Sequence, residues 1–375
     1  MNPRRRFLQH SSLALFGGAA AAAASRLANG AAPTDATSAA SPVRTKPGPG
    51  VDAAGIRHDG PVLRWTPRPE DLAYTFGGAS ARQRITSGTR IISWSEDCFA
   101  GAIRTPADLP SRVLTPGRDN PQTGPFHVEG AEPGDTLAIR LLSIEPARNY
   151  AVSASLPNFG ALVGTDQTAM LGTTLPEGVW RYDLDAKRRM LRTSSGDGRF
   201  QWEVPLAPFL GCIGVAPAGG EVRSTIVPGN FGGNLDCTEL RAGNTVYLGV
   251  NMPGALFSFG DGHYAMGDGE IMGAAVEGAM NVDLIVDLVK GVPTPIPRIE
   301  NSREVMFIGS GRPLEDAARV AYKAMVGWVR EHTGLSELDA YQFVAQSVRA
   351  PIIQLVDPEY TVLVKLDRSL LPVRR

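Results

Sequence analysis

A short stretch in the second half of the chain places a histidine among acidic residues and glycines. Residues 260–273 read GDGHYAMGDGEIMG and contain Asp261, His263, Asp268 and Glu270. In an extended segment, side chains two residues apart point to the same side, so Asp261 and His263 should share a face. The glycines let the backbone turn, so that Glu270 can fold back beside them. These residue types bind metals or transfer protons, although Asp-Gly is also a common turn between strands.

Three further segments place acidic side chains where strands are expected to end. Asp97 follows SWSE, Asp236 follows the glycines and asparagines of PGNFGGNLDCTEL, and His127 and Glu129 share a strand face in GPFHVEGAEPGD. Each segment taken alone is more simply a turn. Together with residues 260–273 they favour one pocket, because the ends of several strands in a β body can converge.

The sequence lacks the residues that several other catalytic centres need. It contains no Gly-x-Ser-x-Gly motif and no glycine-rich phosphate loop ahead of a helix. Its histidines are His10, His58, His127, His263 and His332, so a centre with three histidines is hard to assemble. A metal in this protein would therefore be held mainly by carboxylate and carbonyl oxygens.

Composition and charge narrow the class of protein. The chain has 375 residues, of which 43% are hydrophobic and 20% charged, enough for one large domain or two modest ones. A net charge of -1 gives no reason to expect nucleic acid or an anionic membrane as a partner. Among the three cysteines, Cys98, Cys212 and Cys237, one disulfide can form, and a Cys98–Cys237 pair stays open.

The first thirty residues are typical of an export signal. Arg4, Arg5 and Arg6 lead into Phe-Leu-Gln, which resembles the twin-arginine consensus, and an alanine-rich apolar stretch follows. We predict a twin-arginine signal over residues 1–30, a disordered linker over 31–55 and one domain over 56–375. The mature protein would then be periplasmic or secreted. It would meet the twin-arginine translocase during export and keep no stable membrane anchor after signal cleavage.

The hydrophobic pattern from about residue 61 to 290 has mostly a period of two, which indicates strands. In DTLAIRLL, for example, Leu137, Ile139 and Leu141 share one face. Residues 175–205 are more polar and predict an excursion or hairpin. Strands and helices do not alternate, so a doubly wound sheet is not indicated.

From residue 313 the pattern becomes helical. Gly334 suits the end of a first helix, and Ser336 with Asp339 forms a capping box for a second helix that ends before Pro351. YTVLVKL predicts a final strand. The predicted buried stripe of the first helix consists of Leu314, Ala318, Ala321, Met325 and Trp328. The expected fold class is α+β, mainly β, with a sandwich or barrel-like body and a C-terminal helical hairpin packed on it.

Several segments resemble the acetamidase/formamidase family over most of residues 60–370. They occur in the family's order: DCFAG, NPQTGPFHVEGAEPGDTL, GCIGVAP, GGNLDCTELRAGNTVYLGVNMPGALFSFGDGHYAMGDGEIMGAAVE and WVREHTGLSELDAY. The resemblance implies a metal-dependent hydrolase that cleaves small linear amides to ammonia and a carboxylate. It also implies a β-rich fold and a homo-oligomer.

The resemblance implies a metal site made of Asp97, Asp236, Asp261 and His263. Mixed histidine and carboxylate ligands favour zinc, and calcium or magnesium would suit a site richer in oxygen. Free carboxylates beside such a site can move protons.

The resemblance also implies two catalytic glutamates. Glu270 would act as the general base, and Glu129 would position the substrate. Where the family commonly reads Gln-Gly-Asp-Gly-Glu, this chain has Met266 in place of the glutamine. The loss of that amide predicts altered substrate contacts, so the exact amide stays open.

Two other classes of function remain open from the sequence. One is a non-catalytic exported β-sandwich that binds a ligand or carbohydrate and uses the carboxylates for a structural calcium. The other is a cupin-like metal oxidoreductase, which would need clustered histidines that this chain hardly supplies. Release of ammonia from small amides, with and without a chelator, separates the amidase from both.

The export signal can be tested by replacing both Arg4 and Arg5 with lysine. We expect the precursor to stay in the cytoplasm, because the pathway reads the arginine pair rather than the positive charge. Cell fractionation followed by immunoblotting of precursor and mature forms measures this. Normal export of the double variant would contradict the twin-arginine interpretation.

Overall fold

A computed structural model of the chain describes residues 50–51, 57–163 and 175–373, and side chains from residue 59 onwards. The predicted signal peptide lies outside the described residues. So does most of the predicted linker, although Gly50–Val51 pairs with Arg57–His58 as two short antiparallel strands. In the described part of the chain, no helix combines the length and the apolar character needed to cross a membrane.

Strands make up most of the fold, and turns rich in glycine, proline and aspartate separate them. The strands of the first half are β1 (Gly50–Val51), β2 (Arg57–His58), β3 (Val62–Arg64), β4 (Thr75–Phe76), β5 (Gln83–Ile85), β6 (Thr89–Ser95), β7 (Gln122–Val128), β8 (Thr136–Pro146), β9 (Tyr150–Ser155) and β10 (Gly178–Asp185). Those of the second half are β11 (Met190–Ser194), β12 (Gln201–Pro205), β13 (Phe209–Gly214), β14 (Arg223–Ser224), β15 (Gly232–Asn234), β16 (Thr245–Gly249), β17 (Phe257–Ala265), β18 (Val276–Glu277), β19 (Met280–Val289), β20 (Arg298–Glu300), β21 (Glu304–Gly311), β22 (Ile352–Gln354) and β23 (Tyr360–Asp367).

Helices are few. The α-helices are α1 (Pro110–Val113), α2 (Leu314–Thr333) and α3 (Glu337–Ser347). Short 3₁₀ turns span Pro69–Asp71, Ala218–Gly220 and Arg368–Leu370.

The strands build two large sheets. The first, which we call the site sheet, has the order β12-β11-β10-β9-β18-β17-β13-β15, with β7 paired to β17 and β5 paired to β7. The second, the helix-backed sheet, has the order β22-β23-β21-β20-β16-β8-β19-β6-β3. Among the described strands, only β3 with β6 and β5 with β7 pair in parallel. The polar stretch after residue 175 forms β10, β11 and β12, which extend the site sheet as antiparallel neighbours.

The main hydrophobic core joins side chains from both sheets. Leu137, Ile139 and Leu141 of β8 are all buried in it, as their spacing of two residues predicts. Phe126 of β7 stacks on Phe259 of β17 with ring centroids 6.0 Å apart. Full burial of one such side chain stabilises the fold by about 1.5–3 kcal/mol. This packing fixes β17, the strand that enters the functional site.

The C-terminal helices follow the sequence prediction closely. Helix α2 ends at Thr333 and is capped by Gly334, whose φ of 75° suits a glycine. The Ser336 hydroxyl accepts a hydrogen bond from the Asp339 amide and so caps the start of α3. Ala317, rather than the predicted Ala318, lies deepest in the first turns of α2. It packs against Gly309 of β21, where an added Cβ would lie 2.1 Å from the Ala317 carbonyl oxygen. The predicted fold class, mainly β with a packed helical hairpin, is confirmed.

Candidate active site

A histidine and three carboxylates meet at a buried point of the site sheet. His263 Nε2 lies 3.2 Å from Asp261 Oδ1, 3.3 Å from Glu277 Oε2 and 3.9 Å from Asp236 Oδ1. Each of these four side chains is nearly inaccessible to solvent. We call these four residues the acid–histidine cluster. Glu270 lies beside the cluster: side-chain ligand atoms of Glu270, His263 and Glu277, one from each residue, lie within 4.8 Å of one another.

Neighbouring strands supply most of the cluster. Asp261 and His263 lie two residues apart on β17, and their side chains meet as the sequence predicts. Glu277 on β18 is the direct cross-strand neighbour of His263. Asp236 follows β15, and its amide donates a hydrogen bond to the Gly211 carbonyl oxygen on β13. Glu270 lies in the turn between β17 and β18.

Three of the acidic residues have a left-handed backbone. The φ angles are 45° at Asp236, 61° at Asp261 and 45° at Glu270. A non-glycine residue in this region costs on the order of 1–3 kcal/mol, and such residues concentrate at functional sites. The neighbour of Glu270 is held by backbone hydrogen bonds: the Gly269 amide donates to the Ile353 carbonyl oxygen of β22, and the Gly269 carbonyl oxygen accepts from the Leu355 amide just after that strand.

Gly211 of β13 leaves room for the cluster. A Cβ at this position would lie 2.4 Å from Asp261 Oδ2, 2.7 Å from Asp236 Oδ1 and 2.8 Å from His263 Cε1. These distances are shorter than real Cβ contacts, so only glycine permits the three side chains to come together over this strand.

A chain of side-chain amides orients the carboxylates from behind. Gln122 Nε2 donates to Asn120 Oδ1 at 2.7 Å, and Asn120 Nδ2 donates to Asn234 Oδ1 at 2.6 Å. Asn234 Nδ2 then donates to Asp236 Oδ2 at 3.1 Å and to Asp357 Oδ2 at 2.8 Å. The buried Asp357 therefore joins the site as a partner of Asp236. Such supporting hydrogen bonds fix the direction in which ligand oxygens point.

The burial of so many acids shifts their ionisation. Burial raises the pKa of Asp236 and of Glu277 well above the ordinary range, and nearby carboxylates add to the effect. Burial likewise raises the pKa of Glu270 to about 8 and that of Asp357 to about 7. Burial alone would lower the pKa of His263, but the charges of Glu277 and Asp261 outweigh it and raise that pKa to about 10.

Asp261, His263 and Glu277 of the cluster line a cavity of about 530 Å³, and we call this acidic part of the lining its floor. Asp236 is not among the described lining residues. Apolar side chains form much of its wall, and the described lining contains no lysine or arginine. The described lining residues are Cys98, Phe99, Pro110, Ser111, Leu114, Thr115, Pro116, Asp119, Asn120, Leu156, Pro157, Phe159, Ile226, Asn234, Asp261, His263, Glu270, Gly273, Glu277 and Asp357. Met266 is half-buried in the adjacent turn and is not part of this lining.

The cluster has the chemical character of a site for a divalent cation. Asp236 Oδ1, Asp261 Oδ1 and Glu277 Oε2 are buried and have no hydrogen-bond partner among the described residues. Unpaired buried carboxylates are costly, and a cation removes that cost. Tetrahedral zinc with bonds of about 2.0–2.1 Å separates neighbouring donors by roughly 3.3 Å. Asp261 Oδ1 and Glu277 Oε2 lie near this separation from His263 Nε2, at 3.2 and 3.3 Å, whereas Asp236 Oδ1 lies farther away, at 3.9 Å.

Asp97 lies outside the acid–histidine cluster, although the sequence suggested that it would be a ligand. Its Oδ1 accepts hydrogen bonds from the amides of Phe99 and Gly101, at 3.0 and 2.9 Å. Its Oδ2 lies 2.9 Å from the Arg148 guanidinium, which also pairs with Glu96. Both oxygens are therefore engaged locally, and Asp97 shapes the loop that carries Cys98 and Phe99 into the cavity wall.

Glu129 is not brought to the cavity either. It forms a two-pronged pair with Arg84 at 2.7 and 3.0 Å, and its side chain is 44% exposed. His127 Nε2 on β7 lies 3.8 Å from Glu129 Oε2. The sequence predicted that the two share a strand face, but β7 ends at Val128 and Glu129 lies in the turn that follows, and neither residue is part of the described cavity lining.

Sequence reasoning missed Glu277 and Asp357. Glu277 stands in the apolar run GAAVEGAM, and an acid inside such a run is a sign of a buried functional carboxylate. Asp357 reaches the site because β22 runs beside the turn that carries Glu270, through a bridge between Gly269 and Gln354. No local pattern indicates that long-range pairing.

The cysteines do not form a disulfide. Cys98, Cys212 and Cys237 are all free thiols. Burial raises the pKa of Cys98 and of Cys212 well above the ordinary value, and raises that of Cys237 to about 12. A nucleophilic cysteine needs a lowered pKa, so none of the three is suited to that role.

The fold and the site define a mainly β protein with a buried acid–histidine centre that opens into an apolar cavity. The sequence profile described as "Acetamidase/Formamidase family" matches residues 215–366. The crystal structure of an acetamidase from Yersinia enterocolitica is 36% identical with a TM-score of 0.78, over 86% of this chain and 96% of that one. An acetamidase from Bacillus halodurans is 31% identical with a TM-score of 0.73, over 83% of this chain and 100% of that one. The chain therefore belongs to the acetamidase/formamidase family.

Curated relatives match over shorter stretches. The acetamidase of Mycolicibacterium smegmatis is 25% identical over 222 residues, which is 45% of this chain and 53% of that protein. The chain thus spans about half the length of that relative.

Replacement of Gly211 by alanine tests the geometry of the cluster. The added methyl group would displace the carboxylates of Asp261 and Asp236, so we expect zinc affinity to fall about 10- to 100-fold. Isothermal titration with zinc, beside circular dichroism to verify folding, measures this. Gly196→Ala, in a turn where an added Cβ meets nothing within 4 Å, is the matched control. Zinc affinity unchanged in Gly211→Ala would contradict the geometry.

Proposed function

We propose that this chain hydrolyses the carbon–nitrogen bond of small linear amides, releasing ammonia and a carboxylate, with a metal-activated water at the acid–histidine cluster. Family membership supports the reaction class. The observation that most supports this site is the convergence on His263 Nε2 of three buried carboxylate oxygens that have no hydrogen-bond partner among the described residues.

Asp236, Asp261, His263 and Glu277 would hold the divalent metal. When bound, the metal would polarise the amide carbonyl and lower the pKa of a nearby water, since an amide is a poor electrophile and neutral water a poor nucleophile. The mixture of one imidazole with carboxylates favours zinc, and calcium or magnesium remain alternatives with lower preference. Glu277 takes the place that the sequence had suggested for Asp97.

Glu270 is our candidate general base. It lines the cavity beside His263 and Glu277 without belonging to the four closest donors. Burial raises its pKa to about 8, near the range in which a carboxyl group exchanges protons efficiently at neutral pH. Glu270 would take a proton from the attacking water and deliver it to the leaving amine, which departs as ammonia.

We assign no catalytic role to Glu129. Its carboxylate is bound by Arg84 and is not part of the described cavity lining, so its position does not support a role in placing the substrate. The comparisons give no support to the alternative of a non-catalytic ligand-binding sandwich. A cupin-like centre needs clustered histidines. Among the described residues, the groups that could hold a metal contain a single histidine, His263, so this alternative is not supported.

Two substitutions separate the metal from the base. His263→Ala should lower zinc content and the rate of amide hydrolysis together, because it removes a ligand. Glu270→Gln should keep the zinc but reduce the rate by about 100-fold or more, because it removes only the proton acceptor. Zinc stoichiometry by mass spectrometry, beside ammonia release from a panel of small amides with and without chelator, measures both.

Matched controls come from the same residue types outside the cavity. His127→Ala and Glu129→Gln make the same chemical changes, and we expect both to retain full zinc content and most of the activity. If His263→Ala and Glu270→Gln kept both the zinc content and the rate of amide hydrolysis, the assigned metal ligand and general base would be wrong. If no amide released ammonia from zinc-loaded protein, the proposed reaction would be wrong.

A further inference from the structure

We propose that the cavity selects neutral amides with a branched aliphatic or aromatic acyl group over formamide and acetamide. This inference rests on the proposed amidase function and adds the substrate class. A cavity of about 530 Å³ is in the size range of pockets that enclose drug-sized molecules. Acetamide has only four non-hydrogen atoms and would leave most of that volume to water.

The wall above the acidic floor is apolar. Phe99, Leu114, Leu156, Phe159 and Ile226 line it, and they come from segments that follow β6, α1, β9 and β14. Ser111, Thr115 and Asp119 are polar side chains of the same segments, while Asp261, His263, Glu270 and Glu277 line the part of the cavity where the amide would react. A substrate with its amide at the floor would therefore place its acyl group against this apolar wall, where burial of hydrocarbon is favourable.

The wall is a built part of the fold. Phe99 is buried in a small hydrophobic cluster, and Leu114 and Leu156 pack against the same cluster. The Phe99 amide also donates a hydrogen bond to the buried carboxylate of Asp97, which forms an ion pair with Arg148. A surface formed only by chance exposure would lack this support.

The wall is also tied to the turn that carries the general base. Phe159 packs over Gly273, where a Cβ would lie 2.4 Å from Phe159 Cδ1. The Ala161 amide donates to the Ile271 carbonyl oxygen at 2.9 Å. The same turn contains Glu270, so contact of an acyl group with Phe159 is coupled to the position of the base.

The charge of the lining excludes one class of amide. Asp119, Glu270 and Asp357 also line the cavity, and no lysine or arginine in the described lining offers a partner to an anion. Apart from His263 and the metal, where the amide itself would react, a free carboxylate on the substrate would find no cationic partner, so monoamides of dicarboxylic acids should be poor substrates.

The test measures kcat/KM of the zinc-loaded full chain for formamide, acetamide, isovaleramide, phenylacetamide and succinamate. Each buried methylene contributes roughly a fourfold gain in binding, so we expect isovaleramide to exceed acetamide by about 50-fold. Phenylacetamide should also exceed acetamide, and succinamate should be the poorest of the larger amides. A kcat/KM for formamide or acetamide equal to or above that for isovaleramide would overturn the proposed substrate class. It would not contradict the proposed amidase reaction.

The Leu156→Trp variant tests whether the apolar wall causes the preference for larger acyl groups. The larger side chain should fill the acyl region and lower the isovaleramide-to-acetamide ratio of kcat/KM by about tenfold or more. Leu114→Phe is a second, smaller filling variant for the case in which Leu156→Trp does not fold. Leu338→Trp, at a side chain 76% exposed on α3, is the matched control and should keep the ratio. An unchanged ratio in a folded filling variant would refute the assigned wall, and failure of every amide would instead refute the proposed reaction.

Discussion

The accumulation of negative charge inside the site sheet is the constraint on which the rest of the structure depends. Asp236, Asp261 and Glu277 are fully buried beside His263, and no lysine or arginine of the described chain pairs with them. One imidazolium cannot neutralise three carboxylates, so the arrangement needs protons or a cation. A bound divalent cation, as proposed above, would neutralise these oxygens and would supply the Lewis acid that amide hydrolysis needs.

The fold holds this unfavourable arrangement in place at several levels. The aromatic core under β17 fixes the strand, and the glycine at position 211 lets three functional side chains approach it. The amide chain through Asn234 aims the oxygens of Asp236 and Asp357. The left-handed conformations of three acids are local costs that this framework supports, which is typical of sites where strain serves function.

Local sequence spacing predicted the parts of the site that one strand or turn determines. The two-residue separation placed Asp261 beside His263, and the glycines let Glu270 return to them. Spacing could not show that the oxygens of Asp97 are engaged by Arg148, a partner distant in the chain. Nor could it show that the parallel pairing of β5 with β7 brings Arg84 beside Glu129. Asp357 depends on a contact between β22 and the β17–β18 turn, which only the tertiary fold creates.

X-ray absorption spectroscopy of the zinc-loaded protein tests the central claim most directly, because it identifies the atoms bound to the metal. We expect one imidazole nitrogen and carboxylate oxygens at about 2.0–2.2 Å from the zinc. A sulfur shell at about 2.3 Å would mean that Cys98 or another thiol binds the metal instead. That result, or a spectrum without imidazole scattering, would contradict a metal centre built on His263, Asp236, Asp261 and Glu277.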